Sequence, residues 1–296
     1  MKIPVTALAV VALPLVVLAA EQQPNVLTPL TVQGRTAAAN TDGMLEEDVP
    51  DGVYGQPDWL GARRFATTRA YIQQDPWEVG VEQWWRSRKN GGEWSHLFQE
   101  EVEIGLPYRF QLDVYYDWVL DEDKHSSYKD TAFEVRWALA DWGKIPLNPT
   151  LYFEYKLTDP DHGGDVIEPK LLLSEDFGQG WHWAANFVWE KELTDEQGEE
   201  WAFTQAISKS LCDSKFSVGV EMTYKWETAI GSRAEPARQF NIGPSIQWRP
   251  TENTHIDVVA LAGLTHDSED FEGWLVMGWD FGGEGPSHYE PVTRRQ

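Results

Sequence analysis

Acidic side chains at short spacing are the residues of this sequence with the clearest capacity for chemistry. In the stretch DPDHGGD, Asp159, Asp161 and Asp165 could offer oxygen ligands to a hard cation. Their spacing does not complete an EF-hand loop, and an acidic turn in contact with water explains the same residues. In QEEVE, Glu101 and Glu103 would lie on one side of an extended chain, as a carboxylate pair for glycoside cleavage requires. A charged channel lining would use the same pair.

Other signatures of catalysis are missing from the sequence. It contains no glycine-rich phosphate loop, no serine nucleophile elbow and no HExxH motif, and its seven histidines are scattered. His182 and Asn186 share one face of a candidate strand and could meet a ligand together, although hydrogen-bonded interior positions explain them as well. We therefore predict no catalytic residue, no metal site and no cofactor, and a protein that is not an enzyme.

The elements that must position these residues alternate apolar and polar side chains. In RFQLDVYYDW, residues 109–118, one face of an extended chain carries Phe110, Leu112, Val114, Tyr116 and Trp118, and the other carries Arg109, Gln111, Asp113, Tyr115 and Asp117. Segments with the same period follow one another from residue 78 to residue 281, without a helical period. This pattern predicts about 12 strands.

The connections between these segments alternate in length. Long acidic stretches such as LDEDKHSSYKD alternate with short ones such as PY and LCD. Because consecutive antiparallel strands place alternate connections at opposite ends, one end should carry long acidic loops and the other end tight turns. This asymmetry is typical of outer-membrane barrels, whereas a soluble β-sandwich has no reason to show it.

Tryptophans stand at the ends of the apolar faces. Trp181 and Trp189 begin and end one such face, roughly 26 Å apart along a strand at about 3.3 Å per residue. A tilt of around 40° reduces this to about 20 Å, close to the apolar band of a membrane barrel. Indole rings favour the lipid–water interface, where the N–H group stays hydrated. We predict an aromatic girdle made of Trp118, Trp181, Trp189, Trp226, Trp248 and Trp279.

The opposite faces carry charges of both signs far into the strands. A hydrated barrel interior accommodates such charges as cross-strand pairs, while a sandwich would expose the same residues to solvent. We predict a lumen lined by Asp113, Asp117, Glu134, Arg136, Glu154, Lys156, His182 and Glu221.

Composition narrows the class of protein. A formal charge of -24 argues against nucleic acid as a partner, and Cys212, the single cysteine, rules out an intrachain disulfide. The mean hydropathy of -0.47 is too low for a bundle of membrane helices. The expected partners are therefore outer-membrane lipid and a small solute.

The sequence also divides into regions. Residues 1–20 have a charged start, an apolar run and small residues near the cleavage point, which predicts a secretory signal peptide; an uncleaved anchor is the alternative. Residues 21–75 are polar and turn-rich, and we predict an extended periplasmic leader or plug. The transmembrane barrel is assigned to residues 76–281 and a C-terminal tail to residues 282–296.

Three stretches resemble a known family. They are HLFQEEVEIGLPYRFQLDVYYDW, EPKLLLSEDFGQGWHWAANFVWE and FNIGPSIQWRPTENTHIDVVALAGL. They are similar to transporter-like bacterial outer-membrane barrels grouped with the "Putative MetA-pathway of phenol degradation" proteins. The resemblance covers roughly residues 78–281 and rests on barrel turns such as EIGLPYRFQL. It implies a barrel architecture and no catalytic residue.

These observations predict an all-β protein, a closed antiparallel transmembrane β-barrel with an up-and-down meander, in the bacterial outer membrane. Its function would be passive passage or binding of a small solute, with the acidic loops favouring cations. The alternative is a secreted Trp-rich β-sandwich, either a carbohydrate-binding module or a hydrolase. Its aromatic residues would form one exposed sugar-binding face.

Overall fold

The computed structural model describes residues 45–120, 125–195 and 197–282. The predicted signal peptide, the first part of the leader and the C-terminal tail from residue 283 lie outside these residues. Among the residues described, no helix combines the length and the apolar character needed to cross a bilayer.

The described residues form twelve strands, joined in a single closed sheet. The strands are β1 (Val79–Asn90), β2 (Glu93–Leu106), β3 (Phe110–Leu120), β4 (Ser126–Ala138), β5 (Thr150–Thr158), β6 (Val166–Asp176), β7 (Trp181–Glu192), β8 (Glu199–Cys212), β9 (Phe216–Thr228), β10 (Ala237–Thr251), β11 (Thr254–Gly263) and β12 (Phe271–Phe281). Short 3-10 turns cover Glu46–Asp48, Asp58–Leu60 and Pro107–Arg109.

Every strand pairs antiparallel with its neighbours in sequence, and β1 closes the sheet by pairing with β12. Val79 lies opposite Phe281, and Lys89 lies opposite Phe271. Closure leaves no unpaired sheet edge, which the hydrocarbon of a bilayer requires. The predicted closed meander is confirmed. The β-sandwich alternative is wrong, because one sheet curls onto itself instead of two sheets stacking.

The two faces of the sheet have opposite character. On β3, Gln111, Asp113 and Tyr115 are buried inside the barrel. The outward face keeps large apolar groups exposed, and on β5 Leu151 and Phe153 are 45% and 50% exposed. Such a surface suits hydrocarbon far better than water. The period of two in the sequence thus decides which side chains face lipid.

The two ends of the barrel also differ. At one end, here named the loop end, the connections include residues 159–165, 193–198, 229–236 and 264–270. At the other, the turn end, they are residues 107–109, 177–180, 213–215, 252–253 and the longer 139–149. The longer connection covers a segment that enters the barrel, since Trp142 N donates to the Tyr54 carbonyl over 2.9 Å and Tyr71 Oη donates to the Ala140 carbonyl over 2.7 Å.

Residues 45–78, here named the inner segment, lie within the barrel. The segment starts at the turn end, where Glu46 N donates to Asp213 over 2.9 Å, and it runs on directly into β1 at that same end. Between these points it contacts inward-facing side chains of strands around the barrel. Its large apolar residues Trp59, Leu60, Phe65, Tyr71 and Ile72 pack against the small side chains of Ala138, Ala184 and Ala206.

Candidate functional site

Arg63 forms the centre of an ion cluster inside the barrel. Its side chain is buried and pairs with Glu82 at 2.5 Å, with Glu101 at 3.0 Å and with Glu103. The guanidinium also lies 4.7 Å from the ring centroid of Trp84. Burying carboxylates is costly unless a cation compensates them. Arg63 therefore brings the charge that lets β1 and β2 keep acidic residues in the interior.

A second arginine joins the inner segment to β3 and β4. Arg136 donates to Asp113 Oδ2 over 2.9 Å, to Gln73 Oε1 over 2.5 Å and to Glu134. The side chain is completely buried. The charged guanidinium of Arg136 thus joins two strands to the inner segment. Hydrogen bonds that involve a charged group are stronger than those between neutral groups.

The crest of the inner segment lies midway along the barrel. Thr67 donates through N and Oγ1 to Glu221 Oε2 over 2.8 and 2.6 Å, and Thr68 Oγ1 donates to Thr204 Oγ1 over 3.0 Å. Arg69 N donates to Asn186 Oδ1 over 2.7 Å, and the amide of Asn186 donates back to the Arg69 carbonyl over 2.7 Å. Strands β7, β8 and β9 therefore hold the crest by polar contacts.

Where the inner segment returns to the turn end, two more carboxylates are shielded from water. Burial raises the pKa of Asp75 above its usual range, although Val53 N and Gln56 Nε2 donate to it over 3.0 and 2.7 Å. Burial likewise raises the pKa of Glu78, and the negative charge of Asp75 adds to the effect. Both groups bind protons more readily in the packed segment than in the free chain.

On the loop side of the crest lies a cavity of about 220 Å³. Its floor includes Thr67 and Arg69, and its rim reaches β12. The basic residues that line it are Arg69, Arg86, Arg88, Lys129, Lys156, Lys170 and Lys225. The acidic ones are Asp117, Glu154, Glu168, Glu200 and Glu272, and the aromatic ones are Trp84, Tyr115, Tyr152 and Trp274. The cavity is thus lined by mixed charges with basic groups in excess.

Most of these charges are paired, but among the described residues neither Arg86 nor Asp117 has an ion-pair partner. Lys156 lies 3.3 Å from Glu168, and Arg88 lies 3.2 Å from Glu272. Arg86 instead stacks on Trp274, with its guanidinium carbon 5.1 Å from the ring centroid. No carboxylate of the described residues lies within ion-pair distance of it. A guanidinium in this setting can bind a carboxylate or another oxyanion.

The residues predicted to line the lumen all project inward, but they separate into groups. Asp113, Glu134 and Arg136 join the ion network below the crest. Asp117, Glu154 and Lys156 border the cavity. Glu221 accepts a hydrogen bond from Thr67 N of the crest. His182 lies instead at the turn end, 2.8 Å from Asp48. The structure therefore separates His182 from Asn186, which the sequence placed together.

Arg63, Arg69 and Arg86 were not singled out from the sequence. Arg63 and Arg69 come from the stretch RRFATTR, an unusually basic run in an acidic chain. That run was the available signal that residues before the strands would meet the acidic interior.

The predicted girdle tryptophans all lie on the outward face near strand ends. Trp118, Trp189 and Trp226 lie at the loop end, and Trp181, Trp248 and Trp279 lie at the turn end. Neighbouring rings extend both rows, since Phe98 stacks on Trp118 at 4.1 Å and Phe110 stacks on Trp137 at 5.6 Å. Two aromatic rows separated by aliphatic side chains match the layout expected of membrane interfaces.

The acidic motifs considered for chemistry have structural partners. Asp165 accepts from Tyr155 Oη over 2.6 Å, and Asp159 accepts from Asp161 N over 2.9 Å, so the carboxylates stabilise their own loop. Glu101 and Glu103 are both bound by Arg63. Neither motif presents the free pair of carboxylates that glycoside cleavage uses.

The chain is similar to a known family and to solved structures of outer-membrane proteins. The family model described as "Putative MetA-pathway of phenol degradation" matches residues 98–277. A COG4313 outer membrane channel from Pseudomonas putida F1 has a TM-score of 0.53 at 11% identity, over 73% of this chain and 100% of that chain. A NanC porin has a TM-score of 0.49 at 11% identity, over 69% of this chain and 100% of the other. A search of curated proteins finds no match.

Proposed function

This chain is a member of the family described as "Putative MetA-pathway of phenol degradation", and we propose that it is an outer-membrane channel whose inner segment controls passage of a small solute. The observation that carries the proposal is the position of the crest. Thr67, Thr68 and Arg69 lie across the middle of the barrel, with a cavity on their loop side. A solute that enters from the loop end reaches this cavity before it meets the inner segment.

The contacts of the crest support a movable barrier. Its shortest contacts are hydrogen bonds to Glu221, Thr204 and Asn186, which water molecules could replace if the crest moved. Arg69 adds only longer ion-pair contacts, 3.5 Å to Glu101 and 4.0 Å to Glu134. The turn-side part of the inner segment is held more firmly, by the apolar cluster around Trp59 and by Arg63. We propose that the crest moves and the turn-side part stays as an anchor.

A disulfide between crest and wall tests this proposal. The hydroxyls of Thr68 and Thr204 are 3.0 Å apart, so Thr68→Cys with Thr204→Cys, in a Cys212→Ser background, should form a cross-link. We expect oxidation to abolish the channel conductance in planar bilayers and a reducing agent to restore it. The matched controls are the two single-cysteine variants, whose conductance should not respond to oxidation. Unchanged conductance of the cross-linked channel would show that solutes pass without movement of the crest.

The charge of the solute is the second part of the proposal. The acidic loops predict cation preference, and that remains a prediction from the sequence. The cavity lining favours the opposite sign, because its basic groups outnumber its acidic ones and Arg86 has no carboxylate partner among the described residues. We propose that a solute held in the cavity is a small anion. The aromatic rings beside Arg86 and Arg69 would contact an apolar part of such a solute.

A further inference from the structure

A second cluster of polar residues lies at the turn end, away from the solute cavity. It joins Glu47 and Asp48 of the inner segment to His182 of β7, and all three side chains are buried. His182 Nε2 lies 2.8 Å from Asp48 Oδ1 and 3.9 Å from Glu47 Oε1. Each of the three residues thus offers one potential metal-ligand atom, and these three atoms all lie within 4.8 Å of one another.

One oxygen in this cluster lacks a partner. Glu47 Oε2 accepts from Arg64 over 2.6 Å, whereas Glu47 Oε1 is buried and no described residue donates to it. This free oxygen is the one that faces the imidazole. A buried carboxylate oxygen without a donor is costly, so its orientation points to a cation between the three side chains.

The surroundings carry an excess of negative charge. Asp213 accepts from the backbone of Glu46 and Glu47 over 2.9 and 3.3 Å, and Asp176 lies opposite His182 in the β6–β7 pair. Among the described residues, Arg64 contacts the cluster directly, through Glu47. A divalent cation would offset this charge.

Two similar acidic groups inside the barrel serve as a contrast. Glu82, Glu101 and Glu103 surround Arg63, and Asp113 and Glu134 bind Arg136. In those groups a guanidinium already occupies the position that a metal ion would take. The cluster around His182 differs because no side chain cation lies between its donor atoms in the described structure.

The donor set indicates the class of metal. One imidazole nitrogen and two carboxylate oxygens suit Zn²⁺ or a similar transition-metal ion, with bonds of about 2.0–2.2 Å. Donors around a tetrahedral ion at that distance lie roughly 3.4 Å apart, between the 2.8 and 3.9 Å separations seen here. Calcium and magnesium prefer oxygen donors alone. Trp59 stacks on the imidazole at 4.5 Å and covers it.

We infer that Glu47, Asp48 and His182 form a binding site for a divalent transition-metal ion of the zinc type. The ion would fasten the start of the inner segment to β7, because two of its ligands belong to the segment and one belongs to the wall. This role is structural and leaves the solute cavity unaffected.

Zinc titration of the full-length protein in detergent, after treatment with a chelator, tests the inference. We expect one high-affinity Zn²⁺ per chain and a rise in the unfolding temperature when zinc is added. Glu47→Gln keeps the shape of the side chain and should weaken zinc binding about a hundredfold. Loss of a residue that only hydrogen-bonds to a metal ligand already costs about 10- to 100-fold in affinity, and loss of a ligand should cost at least as much. Asp48→Asn should act in the same direction.

The control is Glu252→Gln, which removes an exposed carboxylate at the same end of the barrel. Its zinc affinity should equal that of the parent protein, and unboiled gel mobility should show that every variant is folded. Equal zinc affinity of Glu47→Gln and the parent would overturn the inference, since binding would then involve exposed histidines such as His162 and His266. Displacement of zinc by equimolar Ca²⁺ would overturn the proposed class of metal. Neither result depends on conductance, so the channel proposal is tested separately.

Discussion

At the scale of single residues, Arg63 shows how the described interior compensates its acidic side chains. One guanidinium contacts three buried carboxylates from β1 and β2 and is the cation closest to each of them. An ion pair of this kind adds little stability compared with an apolar replacement of the whole group. Loss of one partner, however, leaves uncompensated buried charge.

We expect Arg63→Met to lower the free energy of unfolding by about 3–5 kcal/mol, because three buried carboxylates would lose the cation closest to them. The difference in unfolding free energy between the variant and the parent should become smaller as the pH falls, because protonation of the carboxylates removes the negative charges that repel one another. Urea unfolding of the protein in lipid vesicles, followed by tryptophan fluorescence at several pH values, measures both effects.

Arg233→Met is the matched control for this change. Arg233 pairs with Glu199 at 2.7 Å, but its side chain is 40% exposed at the loop end. An exposed ion pair contributes about 1 kcal/mol or less, so this variant should unfold almost like the parent. Equal losses in the two variants would mean that burial of the Arg63 cluster has no special energetic effect.

At the scale of elements, the inner segment fits the wall because small side chains face it. Ala138, Ala184 and Ala206 belong to β4, β7 and β8, and each contributes a buried methyl group to the apolar cluster of the segment. Larger residues at these positions would occupy the space of Trp59, Leu60 or Phe65. The wall and the segment are therefore complementary in size.

We expect Ala184→Leu to push the inner segment out of place, with a loss of about 1–3 kcal/mol from overpacking. The channel should then open more often in planar bilayers, because the turn-side anchor of the crest is disturbed. Ala262→Leu is the control, since Ala262 is an exposed residue on the outward face of β11. Similar conductance of the two variants would contradict the role assigned to the packing of the segment.

At the scale of the whole molecule, charge is unevenly distributed. The chain carries a formal charge of -24, yet basic residues outnumber acidic ones around the cavity. Loops in contact with salt are screened within about 10 Å at 0.1 M, whereas charges in a narrow cavity act on a solute at contact distance. The cavity should therefore control ion preference at high salt.

We expect the reversal potential in a KCl gradient to indicate preference for chloride, and Arg86→Gln to shift it toward potassium. Lys144→Gln is the control, because it removes one positive charge from an exposed position in the turn 139–149 and should leave the reversal potential unchanged. Preference for potassium in the parent at high salt would support the prediction from the acidic loops and contradict the anion proposal.

Much of this architecture could be predicted from the sequence. The period of two in segments such as RFQLDVYYDW determines which side chains face inward, because a strand projects successive residues to opposite sides. Alternate long and short connections indicated a meander with two unlike ends. These are local properties of the chain, and they led to the closed barrel of 12 strands that the structure shows.

The contacts inside the barrel could not be predicted in the same way. Arg63 is 19 residues from Glu82 in sequence, and Asp48 is 134 residues from His182, and no periodicity relates such positions. By itself the sequence determined the strands, their inward and outward faces and the membrane-barrel class. Only the tertiary structure decided that residues 45–78 pass through the lumen and which charges meet there, because closure of the sheet brings distant strands around one segment.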